Sequence, residues 1–223
     1  MYRYFVLLFS FSSIDAKKFE AIIQSFSGAL GVLDGGTTVQ DAPMLDSGLM
    51  DENTSSEVLE MQNFQKLEET IQEYLNENQL SESVTVLEEE AGLLLRFQDN
   101  ILFDSGSADL KPESLEIMSY IAQLLNAEDF EDKFISIEGH TDNVPMNSPR
   151  YPSNWELSVG RSSNVVRFLV ENNNMDPKRI SASGYSEYHP VAPNDNAENR
   201  AKNRRVDILI LKTIHYKDSS KNQ

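Results

Sequence analysis

The sequence predicts an α/β domain, with a mixed β-sheet carrying helices on one face, preceded by a linker and short N-terminal helices. Three observations predict it. Strand-like and helical runs alternate from residue 83 to residue 211, the ordering of a two-layer sandwich. The apolar share, 39% of 223 residues, suffices for one ordinary core but is low for a core that takes in every segment. The negative charge is also uneven: residues 41–90 hold fourteen Asp and Glu against the single base Lys66, thirteen of the seventeen excess negative charges. Acidity therefore marks a tether ahead of the domain.

Taken in order, Tyr4–Phe11 is strongly apolar, with Arg3 ahead of it and Asp15, Lys17 and Lys18 behind. A spanning helix needs about 20 apolar residues, and this run is shorter. A signal-peptide core and an ordinary buried element compete with a third reading, the outer half of a membrane helix whose first half lies outside this sequence; we expect the third for residues 1–14. Phe19, Ile22, Ile23 and Phe26 fall at helical spacing and give residues 15–27 an amphipathic helix, with Asp15 suited to its positive end. Residues 28–79 read as an acidic linker containing one helix, Glu57–Glu77, with apolar positions at Met61, Phe64, Leu67 and Ile71. That helix either pairs with a second copy of itself or caps the next domain.

The expected domain spans residues 80–215. Ser83–Leu87 and Gly92–Phe97 are strand-like. Pro112 opens a helix with Leu115, Met118, Ile121 or Ala122, and Leu125 on one face. Phe134–Gly139 alternates as a strand, a proline-containing loop leads to a helix from Asn154 to Asn172, and Ile180–Gly184 and Val206–Leu211 complete the strands. Residues 216–223 are polar and expected to fray.

A formal charge of −17 argues against nucleic acid as a partner, because phosphate binding is driven by basic surfaces. There is no cysteine, which removes disulfides and thiolate metal sites. His140, His189 and His215 make no metal-ligand spacing. No nucleophile elbow, zinc motif or supported acid pair is present, so neither an enzyme nor a cofactor is expected.

Four ordered motifs carry a specific resemblance: Asn100–Leu110, Glu138–Asn143, Asn154–Arg161 and Ala201–Val206. They resemble the OmpA-like domain family, across more than a hundred residues. The resemblance implies an OmpA-like two-layer sandwich of βαβαβ type, in which Asn100–Leu110 supplies the opening strand and turn. It also implies binding, without cleavage, of the diamino acid in the peptidoglycan stem peptide. The apolar segment running into residues 15–27, the enlarged loop Val144–Pro152 and Ala192–Asp195 are similar to the flagellar-stator branch of that family. That branch implies a homodimer, a MotA-like channel subunit as partner, and a single membrane pass with the C-terminal domain outside the cytoplasm. It also implies an ion-carrying aspartate, which this sequence lacks, Asp15 lying beyond the apolar run. A generic cell-envelope anchor unrelated to motility is the alternative.

The chemistry of the ligand agrees. The free end of a diamino acid is a zwitterion, so its receptor needs an anion for the ammonium and a cation for the carboxylate, and the planar fork of Arg suits the second. Asp142 follows a strand, and Asn154, Leu157 and Arg161 share one helix face at i, i+3 and i+7. By resemblance Asp142 and Arg161 take the charged groups of the ligand, and Thr141, Asn154, Leu157 and Arg204 line the same site, with Arg161 facing a solvated pocket. The bland alternatives are an Asp142–Arg161 structural ion pair, Asn154 as helix cap only, Arg204 as a solvated sheet-edge charge, and His140 as a structural residue.

Overall fold

The structure is a computed structural model and describes residues 52–213, with side chains from residue 56 onward. The expected membrane-helix remnant, the helix at 15–27, the first part of the linker and the polar tail lie outside the described residues.

The elements run α1 (Glu52–Glu77), β1 (Val84–Glu89), β2 (Gly92–Gln98), the single turn α2 (Asp99–Leu102), α3 (Pro112–Leu125), β3 (Ile135–His140), α4 (Asn154–Asn173), a 3-10 turn (Pro177–Arg179), β4 (Ile180–Gly184), α5 (Ala197–Asn203) and β5 (Arg205–Leu211). The sheet order is β1-β2-β5-β3-β4, parallel between β3 and β4 and antiparallel elsewhere. Alternation along the strands explains its two faces. Leu93, Leu95 and Phe97 of β2, Ile135 and Ile137 of β3, and Val206, Ile208 and Ile210 of β5 lie in one buried cluster with Ile121 and Leu125 of α3 and Val165 and Leu169 of α4. Several intervening positions carry charge: Arg96 donates twice to Asp207 at 2.9 Å, and Arg205 Nε once, also at 2.9 Å. This is the expected mixed sheet with helices on one face.

Helix α1 begins earlier than its apolar periodicity indicates and settles the choice between self-pairing and capping. Phe64, Leu67, Ile71 and Leu75, one stripe of the helix, are buried in the core of the domain. Its first half is clasped by Lys133, whose Nζ lies 2.9 Å from Glu60 Oε1, and by Thr213, whose backbone and hydroxyl both donate to the same oxygen.

The expected opening strand at Asn100–Leu110 is corrected. The chain there makes the turn α2 and then only an isolated bridge, Phe103 to Leu110. The strand it follows, β2, is already paired on both sides by β1 and β5 and offers it no ladder. Helix α5 has no counterpart in the sequence reading. It is seven residues long and polar, and it starts where the Asn196 side chain accepts from Asn199 N at 2.8 Å.

Helix α4 starts on a capping box in which Ser153 accepts from Trp155 N and pairs with the Glu156 carboxylate. The cap is thus Ser153, which leaves the Asn154 side chain for another purpose. Two glycines bring this helix onto the sheet: a Cβ on Gly139 would lie 2.1 Å from Ser158 O, and one on Gly184 2.5 Å from Val159 N.

Candidate functional site

The candidate residues meet at one end of the sheet, where β3 ends and β5 begins. Thr141 follows β3; its N–H donates to Ser186 O at 2.9 Å and its hydroxyl to Asp142 O at 3.0 Å. Asp142 is 6% exposed, its Oδ1 accepting from Val144 N at 3.0 Å and its Oδ2 from Arg204 Nη1 at 2.7 Å.

Asn154 is a bracket for this loop. Its amide donates to Asp142 O at 3.1 Å, Val144 O at 3.0 Å and Glu187 Oε2 at 3.3 Å, and its Oδ1 accepts from Met146 N at 3.1 Å. Leu157 is buried in a small second cluster with Ala108 and Tyr151, against which Met146 packs.

Arg161 differs from expectation. It is 1% exposed and faces no solvated pocket. Its Nε donates to Ser107 O at 3.0 Å, its Nη1 lies 3.2 Å from Asp99 Oδ2, and its guanidinium stands 5.0 Å from the centre of the Phe103 ring. The charged partner of Asp142 is Arg204 rather than Arg161. Arg204 Nε also lies 3.5 Å from Asp99 Oδ2, and at 37% its side chain is the most exposed of the four. Asp142, Arg204, Asp99 and Arg161 therefore form one alternating chain of charges, neutral in sum. Asp99 is the member sequence reasoning missed: it falls between a strand and a supposed turn, and it joins the site through its carboxylate and through its N–H, which donates to Arg204 O at 3.0 Å.

Burial shapes the electrostatics. It pushes the Asp99 carboxyl above its usual range despite Arg161 and Arg204, and holds the Arg161 guanidinium below its own despite Asp99. For Arg204 burial acts downward, yet the hydrogen bond to Asp142 and the nearness of Asp99 keep it above the ordinary value.

His140 lies beside this cluster, 2% exposed, with its ring stacked 5.3 Å from that of Tyr185. Neither ring nitrogen has a hydrogen-bonding partner among the described residues, and both Glu138 and Asp207 carboxylates stand 3.9 Å from Nε2. Burial, reinforced by Arg205, lowers its pKa to about 3. A base whose folded pKa lies below its unfolded value of about 6.5 stabilises the fold above that value and loses the contribution as pH falls toward 3. His140→Phe, which keeps the ring and cannot charge, should therefore lose less stability than the wild type between pH 6.5 and pH 4. Parallel denaturant midpoints across that window would contradict this.

The fold and the site now define a class. The sequence pattern of the OmpA family matches residues 102–204, and the one described as "Membrane MotB of proton-channel complex MotA/MotB" matches residues 3–30. Motility protein B of Bacillus subtilis (strain 168) is 34% identical, over 93% of this chain and 84% of its own length. A MotB-like protein of Desulfovibrio vulgaris superposes with a TM-score of 0.61 at 29% identity, covering 68% of this chain and 90% of that one. The cell wall anchor of the T6SS from Pseudomonas aeruginosa superposes with a TM-score of 0.56 at 33% identity, covering 63% of this chain and 96% of its own. The chain belongs to the motility protein B family.

Proposed function

We propose that this protein anchors a flagellar stator to the cell wall, its C-terminal domain holding the peptidoglycan stem peptide without cleaving it. The observation that carries the reading is the Asp142–Arg204 pair at the exposed end of a buried, neutral chain of four charges. A zwitterionic diamino acid matches such a chain. Its ammonium replaces the Arg204 guanidinium on Asp142, and its carboxylate is met by the guanidinium so released, while Arg161 holds Asp99 behind it. Thr141, Asn154 and Leu157 fix the loop and the wall against which it lies.

The remainder of the assembly follows from family membership. Residues 1–14 belong to a single membrane pass, 15–27 to a plug against a MotA-like channel subunit, 28–79 to the tether, whose helix α1 packs into the domain at 80–215, and that domain sits outside the cytoplasm as part of a homodimer. The match over residues 3–30 favours this reading over a generic envelope anchor.

Sedimentation of the full chain with insoluble peptidoglycan tests the proposal. The chain should pellet with the polymer and release no soluble muropeptide. A hydrogen bond to a charged group contributes roughly 1.5–3 kcal/mol, so Asp142→Asn should weaken retention about tenfold or more. Retention unchanged in Asp142→Asn, or muropeptides above a buffer control, would overturn the reading.

A further inference from the structure

We propose that Trp155 and Tyr188 form a platform for a pyranose ring of the glycan strand, a second subsite next to the stem-peptide site. The inference rests on the reading just given and adds the sugar to it. Trp155 is 48% exposed and Tyr188 64%, and their rings are stacked with centroids 5.4 Å apart and planes 27° from parallel. Scattered exposed apolar side chains are ordinary on a protein surface. Here two large aromatic rings, on segments thirty-three residues apart in sequence, lie against one another in the open. Val159, one turn beyond Trp155 on α4, is 44% exposed and extends the apolar strip.

Placement identifies the occupant. Asn154 and Glu187 meet at the polar site, amide to carboxylate at 3.3 Å. Trp155 and Tyr188 are the residues immediately after each, so the same two backbone segments that form the rim of the site also present the platform. In peptidoglycan the stem peptide is covalently attached to a sugar. A site that holds the peptide therefore brings a pyranose to its rim at high effective concentration. A pyranose offers a flat C–H face to an aromatic ring and hydroxyls at its edge, and Ser153, Glu156 and Glu187, close in sequence to the two rings, supply oxygens that can accept from those hydroxyls. The same acids make the strip a poor match to an anionic lipid surface.

Trp155 is the only tryptophan of the chain, so intrinsic emission reports on the platform directly. The full chain would be titrated with a disaccharide-tripeptide of peptidoglycan, with the free tripeptide and with chitotetraose. Chitotetraose should change the emission, and Tyr188→Ala should abolish that change. By calorimetry the disaccharide-tripeptide should bind roughly tenfold more tightly than the tripeptide. Trp155→Ala should erase that gain and leave tripeptide affinity in place, and Trp155→Phe should restore part of it. Equal affinities for the two compounds in the wild type, or a gain that survives Trp155→Ala, would overturn the platform. Should the tripeptide fail to bind, the stem-peptide reading falls, and the chitotetraose arm still decides the platform: emission lost with Tyr188→Ala supports it, and no emission change refutes it.

Discussion

Replacing Arg161 by alanine should destabilise the domain by about 3 kcal/mol and also weaken stem-peptide binding, by loosening Asp99 behind Arg204. The guanidinium is 1% exposed, and its removal leaves the buried Asp99 carboxylate with only the longer 3.5 Å contact to Arg204. Removing one member of a buried pair costs about 3–5 kcal/mol because the other charge is stranded, and the residual Arg204 contact places this case at the low end. The Ser107 carbonyl loses its donor and the Phe103 ring its cation at the same time. The discriminating measurement is a pair of denaturation curves, Arg161→Ala alone and combined with Asp99→Asn. Removing the stranded charge should return a large part of the stability and none of the binding. If Arg161→Ala alone unfolds at the wild-type midpoint, the buried pairing is wrong.

Gly139→Ala should be comparably severe, by a different route. Its Cβ would sit 2.1 Å from the carbonyl oxygen and 2.8 Å from the carbonyl carbon of Ser158, both backbone atoms of α4. No rotamer change relieves such a clash, so the helix must move off the sheet. Overpacking of this kind costs about 1–3 kcal/mol and occasionally more, and a backbone contact this short belongs at the upper end. Roughly 10 °C should be lost from Tm. Because α4 carries both Asn154 and Arg161, binding should fall even where the protein remains folded. Gly160→Ala is the control: its Cβ would meet the Tyr151 ring at 3.0 Å, a side chain that can shift, and its effect should be much smaller. Equal thermal midpoints for Gly139→Ala and the wild type would refute the close approach.

The strands were legible because their apolar positions alternate beside turn residues; Gly92–Phe97 and Ile180–Gly184 are found within a residue of where the pattern places them. Helix α5 was not, since Ala197–Asn203 offers only two alanines as apolar residues and is started by its Asn196 cap. In the site, the motif residues were visible individually and the structure brings Thr141, Asp142, Asn154 and Arg204 together. Which charge meets which was hidden, for it depends on strand register. Gln98 lies opposite Arg205 in the β2–β5 ladder, and this sets Asp99 against Arg204 and in reach of Arg161. A one-residue change in that register would give other partners, and nothing local to Asp99 reports it.

The clasp on α1 also determines how the domain bears a mechanical load. Glu60 meets Lys133 just before β3 and Thr213 just after β5. The charge cluster lies at the other end of the same two strands, beyond His140 and ahead of Arg205. A pull arriving along the chain before α1 and resisted at the charge cluster thus runs lengthwise through β3 and β5, over about 20 Å of strand. Ladder hydrogen bonds between antiparallel strands stand across that direction. Because both strands are loaded at one end and held at the other, they carry the tension side by side, and the ladder between them is neither slid apart nor opened bond by bond. The load is thus divided between two strands of the central sheet instead of falling on one.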